Sequence, residues 1–141
     1  MTQKTFRTVV PVAFGDVDYA RILYYPRLFH YCHMVMERFF DESVGQPYVE
    51  VLRDRRIGFP TVHTEADYRR PMPYGEKLVF DFTVRALGTS SVSFRYVVSG
   101  ESDGTARAEA RSTVVCVDMD RFEKQPLPKD LRHAFAAYLE V

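Results

Sequence analysis

The sequence predicts an α+β fold in which a curved antiparallel sheet wraps around one long central helix. Two patterns lead to this prediction. Residues 27–42 place apolar side chains at helical spacing. The second half of the chain alternates apolar and polar residues with a period of two over long stretches. With 141 residues, of which 46% are hydrophobic, the chain suits a single domain, residues 1–141, with a substantial buried core.

The first half of the chain is predicted to form one strand followed by the long helix. Residues 5–14 are rich in Val, Thr and Phe, and Pro11 places this strand at a sheet edge or beside a bulge. Pro26 suits the first turn of a helix, because N–H groups in that turn have no intrahelical acceptor and the N–H that proline lacks is therefore not needed. Gly45 and Pro47 are expected to end the helix. The apolar stripe of this helix consists of Leu28, Tyr31, Cys32, Val35 and Phe39.

The second half of the chain is predicted to be mainly strands. Residues 48–56 fit either a short helix or a loop, and residues 57–70 look extended. An Asp-Gly pair within residues 101–105 marks a hairpin turn. A last helix is predicted over residues 129–139. The alternating core positions of the strands are Leu78, Phe80, Phe82, Val84, Val92, Phe94, Tyr96 and Val98, followed by Ala106, Ala108, Ala110, Ser112, Val114 and Cys116.

Charge and composition narrow the classes of function. Lys plus Arg equals Asp plus Glu, 19 each, so we expect no nucleic-acid partner. No apolar run approaches the roughly 20 residues of a membrane span. The N-terminal MTQKTFRTVV has no signal-peptide core, so we expect a cytoplasmic protein in which Cys32 and Cys116 are reduced core residues. One sheet covering one helix leaves its edges unpaired, so we expect a homodimer or homotetramer.

Two carboxylates, Asp16 and Asp18, lie at the junction between the first strand and the helix. Aspartate is common in loops because it bonds nearby backbone N–H groups, and this structural role is the simpler interpretation. The functional alternative depends on the helix, whose first N–H groups lack partners and whose electropositive end can polarise a carbonyl oxygen. A carboxylate just upstream can then attack the carbonyl carbon or deprotonate a water that attacks it. This arrangement suits acyl transfer to water.

The segment FGDVDYARILYYPRLF, which contains both aspartates, resembles the active-site segment of the 4-hydroxybenzoyl-CoA thioesterase family of hotdog-fold proteins. The family pattern runs approximately F-x-D-x-D-x-x-G-x-V-x-Y. The stretch YRRPMPYGEKLVF, residues 68–80, is similar to the family's Y-x-x-P…G-D/E-x-L segment, and the order of elements matches too. The resemblance implies a hotdog fold and an acyl-CoA thioesterase without a cofactor, in which coenzyme A is part of the substrate.

The resemblance also assigns roles to individual residues. Asp18 matches the catalytic carboxylate, as nucleophile or general base, and the backbone N–H of Tyr25 matches the group that holds the thioester oxygen. Asp16 matches the first carboxylate of the pattern, which shapes the loop. The positions expected to contact substrate are Asp16, Arg21, Tyr24, Phe59, Arg69, Arg70, Ser90 and Ser91.

The chain departs from the family pattern at three places. Arg21 replaces the usual glycine, which would allow positive φ and close approach of the substrate, so Arg21 is expected to narrow the site or to reach a negative group on the substrate. Tyr25 follows Tyr24 where many relatives carry histidine. The turn LGTSS, residues 87–91, lacks the basic cluster that some relatives use for the CoA phosphates. Basic residues elsewhere therefore take that role, or the carrier is different, such as an acyl-carrier protein.

Other titratable residues supply alternatives. His30, His33 and Glu37 share one helix face, where a solvated polar surface is a simpler interpretation than a metal site, so we predict no metal. Glu37 is an alternative catalytic carboxylate, because some hotdog thioesterases take theirs from the central helix. His63 could pair with a carboxylate as in hotdog dehydratases, although a half-exposed strand histidine is the simpler interpretation. Hydration or dehydration of an acyl thioester, and non-catalytic binding of one, therefore remain alternatives to hydrolysis.

Overall fold

The main sheet of the protein consists of five antiparallel strands, seen here in a computed structural model that describes residues 3–141. The strands, in chain order, are β1 (Phe6–Pro11), β3 (Thr61–Tyr68), β4 (Lys77–Leu87), β5 (Ser91–Gly100) and β6 (Ala106–Val115). Their order across the sheet is β1-β4-β5-β6-β3. The proline that closes β1 therefore lies on an edge strand, as predicted, where the missing N–H costs no ladder hydrogen bond.

The central helix, α1 (Arg27–Phe39), packs its predicted apolar stripe against the sheet. Every residue of that stripe is buried: Leu28, Tyr31, Cys32, Val35 and Phe39. The ring of Phe39 lies 4.7 Å from that of Phe82 on β4 and 6.0 Å from that of Phe135 on the last helix, α3 (Lys129–Ala136). One continuous cluster of buried residues therefore joins both helices to the sheet, and the predicted α+β architecture is confirmed.

The ends of the helices differ from the predicted boundaries. Helix α1 stops at Phe39 rather than at residue 42, because the chain opens into a wider turn over Phe40–Val44. Gly45 then adopts φ +85°, a left-handed conformation that glycine takes without a Cβ penalty. Residues 48–56, for which the sequence allowed either a short helix or a loop, contain a short helix, α2 (Tyr48–Arg53).

A second, smaller sheet was not predicted. It contains β2 (Ile57–Gly58), β7 (Val117–Asp118) and β8 (Glu123–Lys124), in the order β2-β7-β8. Strands of two residues are too short to show a period in the sequence. The extended segment 57–70 thus divides between this sheet and β3, one of the two edge strands of the main sheet.

Most positions on the two faces of the main sheet have the expected polarity. The inner positions of β4 and β5 are buried, whereas most outer positions are partly exposed and carry ion pairs such as Arg95 Nη1 to Glu109 Oε2 at 2.7 Å. The exceptions are two buried outer side chains, Thr83 on β4 at 8% exposed and Arg107 on β6 at only 6% exposed, and the exposed Ala106 at the start of β6. Period-two patterning predicts the face on which a side chain lies but not whether a nearby loop covers it.

Both cysteines are buried and unpaired, as predicted. Burial raises the pKa of the Cys32 thiol and that of the Cys116 thiol, so both stay protonated at neutral pH and behave as core residues. No helix within residues 3–141 combines the length and the apolarity that a membrane crossing requires.

The aromatic contacts of Phe39 predict a large loss of stability when its ring is removed. Phe39→Ala is expected to lower the free energy of unfolding by about 3–5 kcal/mol, because the cavity would lie between helix and sheet, where neither can collapse into it. Denaturant-induced unfolding followed by circular dichroism measures the change. The matched control is Phe122→Ala, since Phe122 is 67% exposed and should change stability by no more than about 0.5 kcal/mol. Equal effects of the two substitutions would contradict this assignment of the core.

Candidate active site

An open cleft of about 360 Å³ lies beside the start of α1. It brings together four residues that the sequence predicts for the site: Asp18, Tyr25, Arg69 and Arg70. The cleft is completed by Ile22, Leu23, Tyr68, Pro71 and Met72. One carboxylate, one helix start and two guanidinium groups thus share a single concave surface with an apolar floor, which is the usual composition of a small-molecule site.

Asp18 is held at the corner of a tight turn. Its backbone N–H donates to the Ile22 carbonyl oxygen at 2.9 Å, and its own carbonyl oxygen accepts from Arg21 N at 2.9 Å. The N–H of Ala20 donates to Asp18 Oδ1 at 2.8 Å. Within residues 3–141 no donor or cation contacts the second carboxylate oxygen, Oδ2. The turn therefore orients the carboxylate with one oxygen and leaves the other available to a ligand.

The backbone of Tyr25 offers a free donor at the start of α1. Its carbonyl oxygen accepts from Leu28 N at 3.4 Å and from the Tyr68 hydroxyl at 2.5 Å. Its N–H, in contrast, has no acceptor within residues 3–141, and the residue is 65% exposed. Because the aligned peptide dipoles of α1 make this end electropositive, a carbonyl oxygen placed at the N–H would be polarised.

Asp16 ties the loop together rather than facing the cleft. The Tyr31 hydroxyl donates to Asp16 Oδ2 at 2.6 Å and accepts from Ala13 N at 3.0 Å. Arg27 Nε lies 3.8 Å from Asp16 Oδ1, and the Asp16 carbonyl oxygen accepts from Tyr24 N at 2.9 Å. Burial, with a further contribution from the Asp16 carboxylate, raises the pKa of Tyr31 to about 12, so the phenol remains a donor at neutral pH. These contacts fit the loop-shaping role suggested for Asp16.

Arg21 adopts the left-handed backbone conformation, with φ +66°. This is the position at which the family pattern has glycine, so the turn keeps the glycine-like backbone although an arginine occupies it. Tyr74 N donates to the Arg21 carbonyl oxygen at 3.1 Å, and Leu23 N donates to Met72 O at 2.8 Å. These two bonds join the acidic turn to the opposite wall of the cleft. The Arg21 side chain is exposed and has no ion-pair partner within residues 3–141.

Three predicted contact residues lie elsewhere in the protomer. Phe59 is only 6% exposed, and its ring packs against those of Phe40 and Phe135 at 5.8 and 6.3 Å, so it belongs to the core and does not line this cleft. Ser90 and Ser91 lie at the opposite end of the sheet. Ser91 pairs with Val115 and Tyr68 pairs with Ala108, seven residues apart on β6, which corresponds to roughly 23 Å.

Tyr24 and the alternative catalytic residues also lie outside the cleft. The Tyr24 ring is half exposed and lies 5.5 Å from the Tyr25 ring. Glu37 follows Tyr25 by twelve residues, roughly 18 Å along the helix, and its carboxylate lies 3.1 Å from His33 Nε2. His63 lies 3.6 Å from Glu65 and is largely exposed, so it does not meet Asp18. Within residues 3–141 no three His, Cys, Asp or Glu side chains cluster as metal ligands do.

A second cavity, of about 270 Å³, lies between α1 and the sheet. It begins one helical turn beyond Tyr25, at Phe29, and extends along the seam between α1 and β3. Its lining is Phe29, Cys32, His33, Met36, Thr61, Thr64, Tyr96, Ala110, Ser112 and Val114. Tyr96 is almost completely buried, and burial raises its pKa well above the ordinary value, so its hydroxyl is a neutral donor.

Sequence reasoning did not select Tyr68 and Tyr96 as site residues. Tyr68 had a local signal, because it is the tyrosine of the Y-x-x-P segment that carries the resemblance. Tyr96 had none, because it alternates in phase with the other core residues of β5. Only the position of α1 over the sheet shows that this phenol lines a cavity.

Comparison with known proteins identifies similar chains. The profile of the Thioesterase-like superfamily matches residues 12–135. A 1,4-dihydroxy-2-naphthoyl-CoA hydrolase from Gloeothece citriformis is 30% identical over 121 residues, covering 83% of this chain and 82% of the relative. A thioesterase-superfamily structure from Jannaschia sp. CCS1 superposes with a TM-score of 0.90 at 26% identity, covering 99% and 96% of the two chains. BH1999 gentisyl-coenzyme A thioesterase superposes with a TM-score of 0.80 at 26% identity, covering 94% and 99%. The hotdog fold is thereby confirmed.

The positive φ of Arg21 predicts an unusual order of stability among variants. Arg21→Val is expected to be less stable than Arg21→Gly by about 1–2 kcal/mol, because a β-branched side chain clashes with a left-handed backbone. Thermal and denaturant unfolding measure the difference. The same pair of substitutions at the exposed neighbour Ala20, whose φ is not positive, provides the control and should not favour glycine. A valine variant at position 21 as stable as the glycine variant would contradict the conformation.

Proposed function

The chain belongs to the Thioesterase-like superfamily and is a thioester hydrolase, and on that premise we propose that Asp18 and the Tyr25 N–H act together on the carbonyl group of an acyl-CoA. One observation carries the proposal. A carboxylate oxygen without a partner and a helix-start N–H without an acceptor line the same cleft. Neither atom has a hydrogen-bond partner within residues 3–141, and thioester hydrolysis uses both groups.

The mechanism follows from the chemistry of these two groups. The thioester oxygen accepts a hydrogen bond from Tyr25 N–H, which strengthens as negative charge develops on that oxygen. In one version Asp18 takes a proton from a water that attacks the carbonyl carbon, the intermediate expels the CoA thiolate, and the proton passes to that sulfur. In the other version Asp18 attacks the carbonyl carbon directly and expels the CoA thiolate to form a mixed anhydride, which water then hydrolyses to the free acid and the Asp18 carboxylate while the thiolate takes up a proton. Both give a free acid and a free thiol.

We assign the acyl group to the cavity along α1. This cavity begins one turn beyond the carbonyl-binding N–H, and its walls are mostly apolar. Its polar groups are the imidazole of His33 and several hydroxyls, among them the neutral phenol of Tyr96 and the side chain of Thr64. Apolar walls with a few fixed donors suit a flat aromatic acyl group that carries hydroxyl substituents. The names of two similar proteins, a dihydroxynaphthoyl-CoA hydrolase and a gentisyl-CoA thioesterase, support this choice.

The carrier is assigned as coenzyme A on the basis of charge. Arg69 and Arg70 line the cleft, and the exposed Arg21 lies beside it. Because the chain as a whole has a formal net charge of zero, this group is a local excess of positive charge. Guanidinium groups bind phosphate oxygens in paired hydrogen bonds, so the cluster suits the phosphates of CoA.

The proposed functional unit is a dimer formed through β3. All of β3 except Ala66 is exposed, and one of its two edges has no partner strand within residues 3–141. If two copies pair antiparallel along this edge, the Tyr68 end of one lies beside the Thr61 end of the other. The Ser91 turn of the second copy would then lie about three strand spacings, roughly 14 Å, from the first copy's cleft. The serines that lie too far away within one protomer thereby become available to the carrier.

A substrate panel combined with Asp18→Asn tests the reaction. Hydroxybenzoyl-, naphthoyl-, acetyl- and palmitoyl-CoA are assayed for thiol release, and the aromatic esters are expected to react fastest because their rings fit the cavity of about 270 Å³ and the hydroxyl of the hydroxybenzoyl group meets its polar groups. With the best ester, Asp18→Asn is expected to lower kcat at least about a hundredfold, the scale of losing a general base or nucleophile.

The control for this variant is Asp81→Asn, which changes a carboxylate paired with Arg7 on the outer face of the sheet. It should retain nearly full activity. Full activity of Asp18→Asn would remove this carboxylate from the mechanism, and disappearance of an enoyl thioester without thiol release would indicate hydration instead.

Dimerisation through β3 is tested with a charge on the free edge. Val62→Lys places a lysine on an exposed position of that strand, and edge lysines block strand pairing, so the variant should sediment as a monomer at concentrations where the unmodified protein is a dimer. Val97→Lys, on the exposed face of the central strand β5, is the matched control and should leave the assembly unchanged. An unmodified protein that is monomeric while active would contradict the proposal.

A further inference from the structure

Arg107 is a buried cation beneath the wall of the cleft. Its side chain is 7% exposed, its Nε lies 2.7 Å from Glu76 Oε1, and its Nη2 lies 3.2 Å from Asp103 Oδ2. The backbone of Gly100 lies against the guanidinium, and a Cβ at that position would be 2.4 Å from Nη2. The surrounding chain therefore encloses a charged group, which is stable only if the charge is compensated.

The backbone around the same residue supports the two cleft arginines. The N–H groups of Arg69 and Arg70 both donate to the Arg107 carbonyl oxygen, at 2.8 and 3.1 Å. Nη1 of Arg70 donates to the carbonyl oxygen of Ala106 at 3.0 Å. All three hydrogen bonds end on the first two residues of β6. The direction in which these arginines enter the cleft therefore depends on the position of that strand end.

The guanidinium of Arg107 fixes this strand end from the other side. The cleft wall belongs to the segment of residues 69–76, of which residues 69–72 line the cleft. This segment begins at the Arg107 carbonyl oxygen and ends at Glu76, whose carboxylate binds the Arg107 guanidinium. Glu76 is itself 14% exposed, so both charges of the pair are shielded from water. Arg107 thus holds both ends of the segment 69–76, through its backbone carbonyl oxygen at one end and its side chain at the other.

We infer that Arg107 is a positioning residue that sets the geometry of Arg69 and Arg70 for the phosphates of the carrier. The inference rests on the proposed function, because it takes these arginines to be the phosphate-binding groups. Arg107 does not itself contact the cleft, and the carboxylate and N–H that act on the carbonyl are held by separate bonds. Weakening the Arg107–Glu76 pair should therefore change the affinity for the carrier and not the chemical step.

The test compares two substrates that differ only in the nucleotide. Glu76→Gln keeps the size of the side chain and removes its charge, and Arg107→Lys keeps the charge and removes the forked geometry. Each variant is expected to raise KM for acyl-CoA about tenfold with kcat within about twofold, a loss of binding shared by ground and transition states. KM for the corresponding acyl-pantetheine, which lacks the nucleotide phosphates, should not change.

Glu140→Gln is the matched control. It removes a carboxylate that lies 2.7 Å from Arg95 on the outer face of the same sheet, and melting temperatures are measured for all three variants. A purely structural role for Arg107 would lower the apparent kcat for both substrates alike, in step with the fall in melting temperature, and would leave the ratio of their KM values unchanged. Either that result, or an unchanged KM for acyl-CoA in Glu76→Gln and Arg107→Lys, overturns the inference. Full activity in Asp18→Asn would instead count against the proposed mechanism, and it would leave this comparison of substrates intact.

Discussion

The site depends on one constraint, which is that one face of α1 is buried along the length of the helix while the start of the helix is open. Burial of the apolar stripe holds the helix against the sheet, so its peptide dipoles point in a fixed direction. The chain that enters the helix then passes over the sheet edge and leaves Tyr25 N–H without an acceptor within residues 3–141. A donor placed in this way needs no reorganisation when charge appears on a bound oxygen, and this is the general source of electrostatic catalysis.

Two sets of hydrogen bonds hold the Asp18 carboxylate and the Tyr25 N–H in fixed positions relative to each other. Asp16 and Tyr31 bind the loop to the helix from within, while Leu23 and Met72 bind it to the opposite wall. The segment that carries this wall is in turn held in place by the buried ion pair between Arg107 and Glu76. Polar groups with all their partners are rigid in a poorly solvated environment, so these contacts restrict the cleft more than its apolar floor does.

The sequence predicted the features that arise from local spacing. The stripe of α1 and the alternating faces of β4 to β6 are periodic over ten or more residues, and their burial follows from the period. Asp18 and Tyr25 are only seven positions apart, so the turn and the helix start that join them determine their proximity. The resemblance alone selected Asp18 and Tyr25, because reasoning from the residues left both aspartates and the first N–H groups of the helix open.

The errors and omissions concern residues whose neighbours are distant in sequence. Phe59 faces the core because α3 brings Phe135 against it, and no pattern near position 59 contains that information. By the alternation along β6, Arg107 falls on the exposed face of the sheet. It is nevertheless covered by a loop that contains Glu76, about thirty residues earlier in the chain. The serines at 90 and 91 were expected at the site, but sequence reasoning could not show that β6 separates them from it within one copy.

In the proposed dimer, the hydroxyl of Tyr68 would link assembly to chemistry. This phenol holds the carbonyl of the residue at the helix start, and it belongs to the strand whose outer edge would contact a second copy. In a protomer on its own that strand can fray, and the helix start would then lose a support. Turnover per molecule would therefore fall on dilution, and subunit concentration would act as a control on the rate without any effector.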